Sequence, residues 1–361
     1  MPSWADEVDS RLAAAAAAGQ WREIRDLPAS VVSFGSNDYL GLSRHPAVVG
    51  RAHAALDRWG AGAGAARLVG GSRPVHAELE AALAAWKGEE AALLFPSGYA
   101  ANLGVLATLA DRGDVRILSD ERNHASIVDG CRLARAEVCV YRHGDVDQVA
   151  DLLAGGSTSM VVTDTVFSMD GDVAPVAELA EVCSRFGALL VVDEAHAVLG
   201  PAVDLSGVAH LRVGTLSKYL GSVGGYVAGP RRFVDLLVNR ARPFVFTTAG
   251  SPADAAAALA AVGVLRSPEG DELVQRLRAN VDLVAPGPGH PSPILPVVVG
   301  SEDRAMTAAA ALADRGLLVP AIRPPTVAPG TSRLRISMSA AHTAGQVQAL
   351  LDGLAAVGCA P

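Results

Sequence analysis

The sequence predicts an α/β fold in which a mostly parallel central sheet is flanked by helices and followed by a smaller α+β lobe at the C-terminal end. Between residues 91 and 228, short apolar runs alternate with helical segments, which is typical of parallel strands joined by crossover helices. Half of the 361 residues are hydrophobic, sufficient for the core of a large protein with two lobes. A Pro/Gly loop at 286–293 marks a lobe boundary.

Changes in composition divide the chain into three segments. Residues 1–45 begin with an alanine-rich helix that ends near Gly19, because alanine has the highest helix propensity, and continue into a polar turn at 33–42. Residues 46–266 carry the alternating strands and helices and form the large domain. Residues 267–361 form the small α+β domain.

The predicted strands and helices follow from the alternation of short apolar runs with helical segments. The predicted strands span 91–95, 115–119, 137–141, 160–164, 189–193, 211–216, 224–228, 294–299, 317–322 and 333–338. The predicted helices span 46–59, 76–86, 146–153, 175–186, 231–241, 253–266, 304–315 and 344–357, with two more starting after Ser97 and Asn123.

Lys218 is the first candidate functional residue. It follows a predicted buried strand and precedes glycines that let other groups approach closely. A lysine that loses solvation there is expected to have a lowered pKa, so that its amine can act as a nucleophile or base and form a Schiff base. The alternative is a lysine that caps the strand and extends outward into water.

Asp193 ends a continuous apolar strand, and His196 follows three residues later. Ligands of open α/β sheets bind at the carboxyl ends of the strands, where Asp193 is expected. A lysine amine together with a carboxylate that keeps a ring nitrogen protonated is what pyridoxal phosphate requires. The letters Asp-Glu-Ala-His also occur in DEAH-box ATPases, but the chain contains no G-x-x-x-x-G-K-[ST] loop for the phosphates.

Two further strand ends carry polar groups. The strand at 91–95 leads into a Ser97-Gly98 turn and a helix, where backbone N–H groups and the helix dipole favour a phosphate; an ordinary capped helix is the alternative. After the next strand, Asn123 is expected to cap a helix, and the ring of His124 is available to stack on a planar cofactor.

Arg333 and Arg335 lie on a short predicted strand of the small domain. We expect one of the two side chains to face water and the other to form a bidentate bond with a carboxylate.

Charge and cysteine content exclude several classes of protein. The net charge is −8 and there is no basic run, so a nucleic-acid partner is not expected. The four cysteines form no C-x-x-C pair and no metal-ligand spacing, so no metal site is predicted. The N-terminus is acidic and the alanine run at 13–18 is too short for a signal peptide or a membrane span, which predicts a cytoplasmic location without a membrane partner.

The chain resembles the α-oxoamine synthases, pyridoxal phosphate enzymes with the aspartate-aminotransferase fold (fold type I). The motifs that carry the resemblance are Ser36-Asn-Asp-Tyr-Leu-Gly-Leu42, Ser97-Gly-Tyr-Ala-Ala-Asn102, Asn123-His-Ala-Ser126, Phe167-Ser-Met-Asp-Gly-Asp172, Asp193-Glu-Ala-His196 and Thr215-Leu-Ser-Lys218. They occur in collinear order between about Trp4 and about Leu354. The segment 321–335 is similar to that of the members that make 8-amino-7-oxononanoate in biotin biosynthesis.

The resemblance implies a decarboxylative condensation of L-alanine with pimeloyl-CoA or pimeloyl-acyl carrier protein. Alternatives within the family are a glycine C-acetyltransferase and a natural-product acyl-amino-ketone synthase. An aminotransferase and a non-enzymatic binding protein are the alternatives outside it. Three departures from the family pattern, Ala197, Ala66 and a shortened segment at 199–210, concern the thioester entrance.

The resemblance also implies the site residues and a homodimer with shared active sites. The catalytic residues would be Lys218, His124, Asp193 and His196. The cofactor contacts would be Gly98, Tyr99, His124, Ser168, Asp193, His196, Thr215, Lys218 and, toward the neighbouring subunit, Thr247 and Thr248. The substrate contacts would be Arg22, Asn37, His124, Arg323, Thr326 and Arg335.

Overall fold

The computed structural model describes residues 3–24, 26, 28, 30–111, 114–200, 203–285, 287 and 289–359. Residues 286 and 288 of the predicted Pro/Gly loop lie outside this set. The chain forms two compact units. The smaller comprises Met1–Gly35, Pro296–Ile336 and Gln348–Ala360, and the larger comprises Ser36–Leu295 and Ser337–Val347.

A seven-stranded sheet forms the centre of the larger unit. Its strands are β2 (Ala91–Phe95), β3 (Val115–Asp120), β4 (Glu137–Tyr141), β5 (Thr158–Asp164), β6 (Leu189–Asp193), β7 (His210–Thr215) and β8 (Gly225–Gly229). Their order is β2-β8-β7-β6-β5-β3-β4, and only the pairings of β8 with β2 and β7 are antiparallel. The predicted α/β fold with a mostly parallel central sheet is therefore confirmed.

Helices cover both faces of this sheet. The larger unit contains the helices α2 (Pro46–Trp59), α3 (Pro74–Lys87), α4 (Gly98–Leu109), α5 (Ala125–Leu133), α6 (Val146–Leu153), α7 (Val176–Phe186), α8 (Arg231–Arg240), α9 (Arg242–Val245), α10 (Pro252–Leu265) and α11 (Pro268–Val284). Val191 packs in the core that α4, α5 and α8 cover, whereas Leu190 and Val192 pack in the core that α6 and α7 cover. Burial on both faces explains why the strands are continuous apolar runs.

Helix α11 was not predicted from the sequence. It begins with Pro268 at its first position, which suits the fixed φ of proline, and buries Leu277, Val281 and Val284 along one face. The spacing of these positions, i, i+4 and i+7, is typical of an amphipathic helix, so the sequence contained a signal for α11 that was not used. The helix lies in the larger unit, although the sequence analysis places a segment boundary at residue 267.

The remaining elements include two small sheets, which confirm the predicted α+β character of the C-terminal part. These elements are α1 (Trp4–Ala17), β1 (Val32–Ser33), β9 (Ile294–Gly300), α12 (Glu302–Ala313), β10 (Leu317–Leu318), β11 (Ala321–Ile322), β12 (Ser332–Ser337) and α13 (Ala344–Ala356). One sheet has the order β11-β12-β9, and β1 pairs in parallel with β10. The strand predicted over 317–322 is divided because Pro320, which lacks an N–H, interrupts it.

The expectation that Arg333 and Arg335 face opposite ways is wrong. Both side chains belong to buried residues of β12, 7% and 6% exposed. Residues two apart on a strand share a face, so the two arginines point to the same side. None of the helices among the described residues is both long and apolar enough to cross a bilayer.

A buried ion network ties α3 to the strands β6 and β7. Glu194, directly after β6, lies 2.6 Å from Lys87 Nζ and 2.5 Å from Arg212 Nη1. Arg212 and His210 both contact Glu89, at 2.9 and 2.7 Å. Burial disfavours the charged form of Glu194, but Lys87 and Arg212 outweigh it, so the pKa of Glu194 is lowered.

Substituting Glu194→Gln should lower the free energy of unfolding by about 3–5 kcal/mol, because it leaves Lys87 buried without its counterion. Denaturant unfolding of the purified protein, followed by tryptophan fluorescence, measures this change. Glu7→Gln, which removes the exposed pair with Arg11 on α1, is the matched control and should change stability little. Equal midpoints for the two variants would contradict the role assigned to the network.

Candidate active site

The carboxyl ends of five strands meet along one edge of the central sheet. Strands β2, β3, β5, β6 and β7 run in the same direction, so the residues that follow them lie at the same edge. These strand ends carry Gly98, His124, Asp164, Asp193 and Thr215. Lys218 follows three residues after β7. The topology thus brings together the candidates that the sequence places at separate strand ends.

Lys218 is the first member of a chain of polar contacts. Its Nζ lies 2.8 Å from His196 Nε2, and His196 Nδ1 lies 2.6 Å from the hydroxyl of buried Tyr39. Tyr39 donates its hydroxyl proton to Asn37 Oδ1 at 2.9 Å. His196 Nδ1 therefore donates to the Tyr39 oxygen, which leaves Nε2 to accept from the lysine amine. The imidazole is held in one tautomer.

Asp193 begins a second chain of contacts that leads to His124. The Asp193 carboxylate accepts from Asn102 Nδ2 at 2.7 Å and from the Ala195 N–H at 2.9 Å. Asn102 Nδ2 also donates to Ser126 Oγ at 2.9 Å, and Ser126 Oγ lies 2.7 Å from His124 Nδ1. The carboxylate of Asp193 and the ring of His124 are thus fixed by two intervening side chains.

His124 caps helix α5, although Asn123 was expected to do so. The His124 ring accepts from the Ser126 N–H at 3.2 Å, whereas the Asn123 amide binds strand β5 by donating to Val162 O and accepting from the Asp164 N–H. Asn123 is committed to these strand contacts, and the next residue takes the cap position. The Nδ1 that accepts in the cap is unprotonated, so the proton of the neutral ring is on Nε2.

Burial is the main cause of a lowered pKa for His124, assisted by the charge of Lys218 and opposed by Asp193. Asp164, whose Oδ2 accepts from the His124 N–H at 2.7 Å, has a raised pKa because it is buried and close to Asp193. At neutral pH the ring of His124 is therefore uncharged. A neutral ring can present its face to a planar, positively charged ligand without repulsion.

The N-terminus of α4 could hold an anion beside Thr215. The Ser97 side chain caps the helix by accepting from Ala100 N–H at 3.1 Å, and the first-turn N–H groups belong to Gly98 and Tyr99. The hydroxyl of Thr215 lies 2.7 Å from Ser217 Oγ. A Cβ at Gly225 would lie 2.4 Å from the Ser97 backbone, so glycine is required for this turn to approach β8. The Tyr99 side chain extends outward and donates to Asp129 at 2.6 Å.

Three other predicted residues lie in a loop and a cavity of the larger unit. Ser168 is half-buried in the loop between β5 and α7. Thr247 and Thr248 line a cavity of about 140 Å³ together with Arg67 and Asp254.

The smaller unit brings together three predicted substrate residues. Arg22, Arg323 and Thr326 line one cavity of about 740 Å³. Arg323 donates to the backbone carbonyls of Gly19 and Trp21, the latter at 2.6 Å, so it fixes the segment that carries Arg22. Arg335 is buried on β12, and its N–H donates to Pro320 O at 2.9 Å.

Sequence reasoning assigned no role to Tyr39, Asn102, Ser126 or Asp164. A usable signal existed for Asn102, since an amide in the middle of an apolar helix must have a buried partner. Asp164 ends a strand, as Asp193 does, and the two pair in register. Tyr39 gave no such signal, because its partner His196 is 157 residues away, and Ser126 was not recognised although its partner His124 lies two residues before it.

Comparison with known proteins places this arrangement in a family. The family model described as aminotransferase class I and II matches residues 29–354. An 8-amino-7-oxononanoate synthase of Anaeromyxobacter dehalogenans is 54% identical over 345 residues, covering 91% of this chain and 86% of that protein. One from a Methylobacterium species is 50% identical, covering 97% of this chain and 93% of that protein.

Solved structures agree with this placement. A serine palmitoyltransferase of Sphingomonas wittichii superposes with a TM-score of 0.88 at 30% identity, covering all of both chains. An 8-amino-7-oxononanoate synthase of Francisella tularensis superposes with a TM-score of 0.76 at 26% identity, covering 91% of this chain and 97% of that one. A serine palmitoyltransferase solved with pyridoxal phosphate gives a TM-score of 0.88 at 29% identity, covering 98% and 97%. With these matches over nearly its whole length, the chain belongs to the class I and II aminotransferase family, in the branch of the 8-amino-7-oxononanoate synthases.

Proposed function

We propose that the protein condenses L-alanine with a pimeloyl thioester, on coenzyme A or acyl carrier protein, to 8-amino-7-oxononanoate, carbon dioxide and free thiol. This reaction would serve biotin biosynthesis, with pyridoxal phosphate as cofactor. The relatives at 54% and 50% identity carry the corresponding name. The observation that carries the proposal is the strand-end edge at which the Lys218 amine, the Asp193 carboxylate and the N-terminus of α4 meet.

The residues at this edge fit pyridoxal phosphate. The buried Asp193 carboxylate suits the ring nitrogen, and the Lys218 amine suits the carbonyl carbon. The first-turn N–H groups of α4 and the Thr215 hydroxyl suit the phosphate, and the absence of a side chain at Gly225 lets the Ser97-Gly98 turn that begins α4 pack closely on β8. We further propose that His196 and Ser168 contact the ring oxygen and that the neutral ring of His124 packs on the cofactor.

When bound, the cofactor supplies an electron sink for the pair that remains at the amino acid Cα after a proton or carboxylate leaves. Asp193 maintains the sink by holding the proton on the ring nitrogen. The donors Asn102 and Ala195 keep the carboxylate oriented for this contact, at 2.7 and 2.9 Å. A buried carboxylate that is already hydrogen-bonded requires no reorganisation when the proton is held.

Lys218 is the base that removes the Cα proton from alanine. Its amine donates to His196 Nε2, which keeps an amine lone pair directed away from the imidazole. His196 stays in the accepting tautomer because Nδ1 donates to Tyr39. A base positioned in this way typically contributes about 10²–10⁴-fold to the rate of proton transfer.

The two substrates carry carboxylates that need cationic or hydrogen-bonding partners. We assign the alanine carboxylate to Asn37 and Arg335, with His124 as an additional contact. We assign the terminal carboxylate of the pimeloyl chain to the cavity lined by Arg22 and Thr326, in which Arg323 supports the Arg22 segment. Burying that carboxylate without a partner would be costly, so a cationic pocket is required.

We also propose that the protein is a homodimer with shared sites, in which Thr247 and Thr248 reach the phosphate of the neighbouring subunit. Apolar side chains are exposed at this cavity: Val223, which lines it, is 59% exposed, and Phe246, which precedes Thr247, is 71% exposed. Exposed apolar groups of this size are typical of an interface between proteins.

Purified protein with pyridoxal phosphate should convert L-alanine and a pimeloyl thioester to a product with the mass of 8-amino-7-oxononanoate. Glycine should be used less well, since one methyl group changes recognition by about 1–3 kcal/mol. The measurement is kcat/KM for alanine and glycine with pimeloyl, heptanoyl and acetyl thioesters, with mass analysis of the ketone. A higher kcat/KM for glycine with the acetyl thioester than for alanine with the pimeloyl thioester would contradict this function and indicate a glycine C-acetyltransferase.

Lys218→Ala should lower kcat by at least about 100-fold, because the base that moves the Cα proton is removed. Borohydride reduction of the wild-type protein with cofactor should leave the cofactor on the peptide that contains Lys218. Lys87 is the only other lysine in the chain, so the peptide that contains it is the internal control. This peptide should keep its unmodified mass and carry no cofactor. Many turnovers by the variant, or cofactor on the Lys87 peptide, would contradict the assignment.

Arg22→Ala should raise KM for the pimeloyl thioester by about tenfold and leave KM for the heptanoyl thioester nearly unchanged. The difference reflects one charge-assisted contact to the terminal carboxylate, which heptanoyl lacks. Arg11→Ala, on exposed helix α1 and outside the cavity, is the matched control. Equal effects of Arg22→Ala on both thioesters would place the carboxylate elsewhere.

A further inference from the structure

His143 lies between two carboxylates near the carboxyl edge of the central sheet. It occupies the turn between β4 and α6. Its Nδ1 lies 3.0 Å from Asp120 Oδ1, and its Nε2 lies 2.5 Å from Asp172 Oδ2. A carboxylate accepts only, so both ring nitrogens must donate, and a neutral imidazole has one N–H. The geometry therefore requires the imidazolium form.

Asp120 connects His143 to the turn that carries His124. It is the last residue of β3 and is almost fully buried. Its carboxylate also accepts from the backbone N–H groups of Arg122 and Gly144, each at 2.9 Å. The β3–α5 turn and the His143 turn are thus joined through one carboxylate.

Asp172 connects His143 to the loop that carries Ser168. Within this loop the Phe167 N–H donates to Asp172 O at 3.0 Å, and the Gly171 N–H donates to Phe167 O at 2.8 Å. The buried Phe167 ring packs edge-on against the His143 ring, with centroids 4.4 Å apart. His143 therefore contacts the loop at both Phe167 and Asp172, on either side of Ser168.

We propose that His143, as an imidazolium bridging Asp120 and Asp172, is a positioning residue that fixes the Ser168 loop relative to the His124 turn. The inference rests on the proposed function in one respect, that Ser168 and His124 contact the cofactor. His143 itself contacts neither cofactor nor substrate in this proposal. Its effect is on cofactor affinity, through the relative placement of two loops.

The charged groups around His143 favour the bridge at neutral pH. Asp120 and Asp172 face the two ring nitrogens. Glu121 Oε1 accepts from the backbone N–H of His143 at 3.1 Å. Arg122 is the competing cation, but it is half-exposed and lies 3.6 Å from Asp170 and 3.9 Å from Asp172. Removing the imidazolium charge would leave Asp120 buried without a cation.

Burial disfavours the charged form of His143, but the hydrogen bonds to Asp120 and Asp172 outweigh it and raise the pKa of this histidine. A histidine with a raised pKa in the folded state contributes its full stabilisation below its ordinary pKa of about 6.5. That contribution is lost as the pH rises through the folded-state pKa. The bridge should therefore hold at neutral pH and open in alkaline solution.

The test combines a titration with hydrogen exchange on the full-length protein without cofactor. Long-range ¹H–¹⁵N spectra follow the nine histidines, and His143 is identified by the signal missing from His143→Gln. We expect it to titrate above the ordinary histidine value. In His143→Gln, amides of residues 165–172 should exchange about tenfold faster at pH 7, as expected when a local opening becomes easier by 1.4 kcal/mol. His53→Gln, on an exposed position of α2, is the matched control.

Cofactor binding supplies the functional readout. At pH 7 the dissociation constant of pyridoxal phosphate should be about tenfold higher for His143→Gln than for wild type. Wild type and His53→Gln should bind the cofactor more weakly in alkaline solution, whereas the affinity of His143→Gln should not show this change. If His143→Gln does not fold, Asp172→Asn keeps the Asp120 contact and should still loosen residues 165–172. Titration of His143 at or below its ordinary value would overturn the proposal, as would unchanged loop exchange in the variants. If the protein fails to form the ketone, the proposed reaction is disproved. The expected titration of His143 and the expected exchange of residues 165–172 do not depend on that result.

Discussion

The parallel register of β5, β6 and β7 is the constraint on which the site depends. It pairs Asp164 with Asp193 and Asp193 with Val213, so that the polar strand ends lie in one row. Side chains alternate between the faces of a sheet, and a slip of one residue exchanges the faces. Moving β6 by one position would present Glu194 to the site and turn Asp193 toward the opposite face. The register therefore determines which carboxylate faces the candidate site.

The opposite face of the sheet stabilises this register. Glu194, the neighbour of Asp193, is bound there by Lys87 from α3 and Arg212 from β7, and its N–H donates to Val213 O at 2.8 Å. Consecutive carboxylates thus have separate tasks, one at the site and one in an ion network. A buried carboxylate without its cations would be strongly destabilising, so any slipped pairing is disfavoured from this side as well.

Much of this arrangement could be predicted from the sequence, and the remainder has identifiable physical causes. The alternation of apolar strands and helices predicts the sheet, and the motifs predict that Lys218, Asp193 and His124 meet at one edge. The side-chain contacts that orient them could not be predicted, because Tyr39 meets His196 across 157 residues and Asn102 meets Asp193 across 91. Helix α11 was missed although its buried residues Leu277, Val281 and Val284 have the spacing of an amphipathic helix. The shared face of Arg333 and Arg335, by contrast, follows from strand geometry alone.

The lysine content of the chain has a chemical consequence for its whole surface. Lys87 and Lys218 are the only two lysines among 30 basic residues, the others being arginines. Burial opposes the charge of Lys87, but Tyr219 and Glu194 outweigh it and raise the pKa of that ammonium, and its Nζ lies 2.6 Å from the Glu194 carboxylate. Arginine does not condense with aldehydes as an amine does. Aldehyde fixatives, amine-directed crosslinkers and excess pyridoxal phosphate therefore meet almost no side-chain amine outside the site. Aldehyde that borohydride fixes to lysine side chains of the folded protein therefore lies on Lys218 or Lys87, and peptide mapping distinguishes the two.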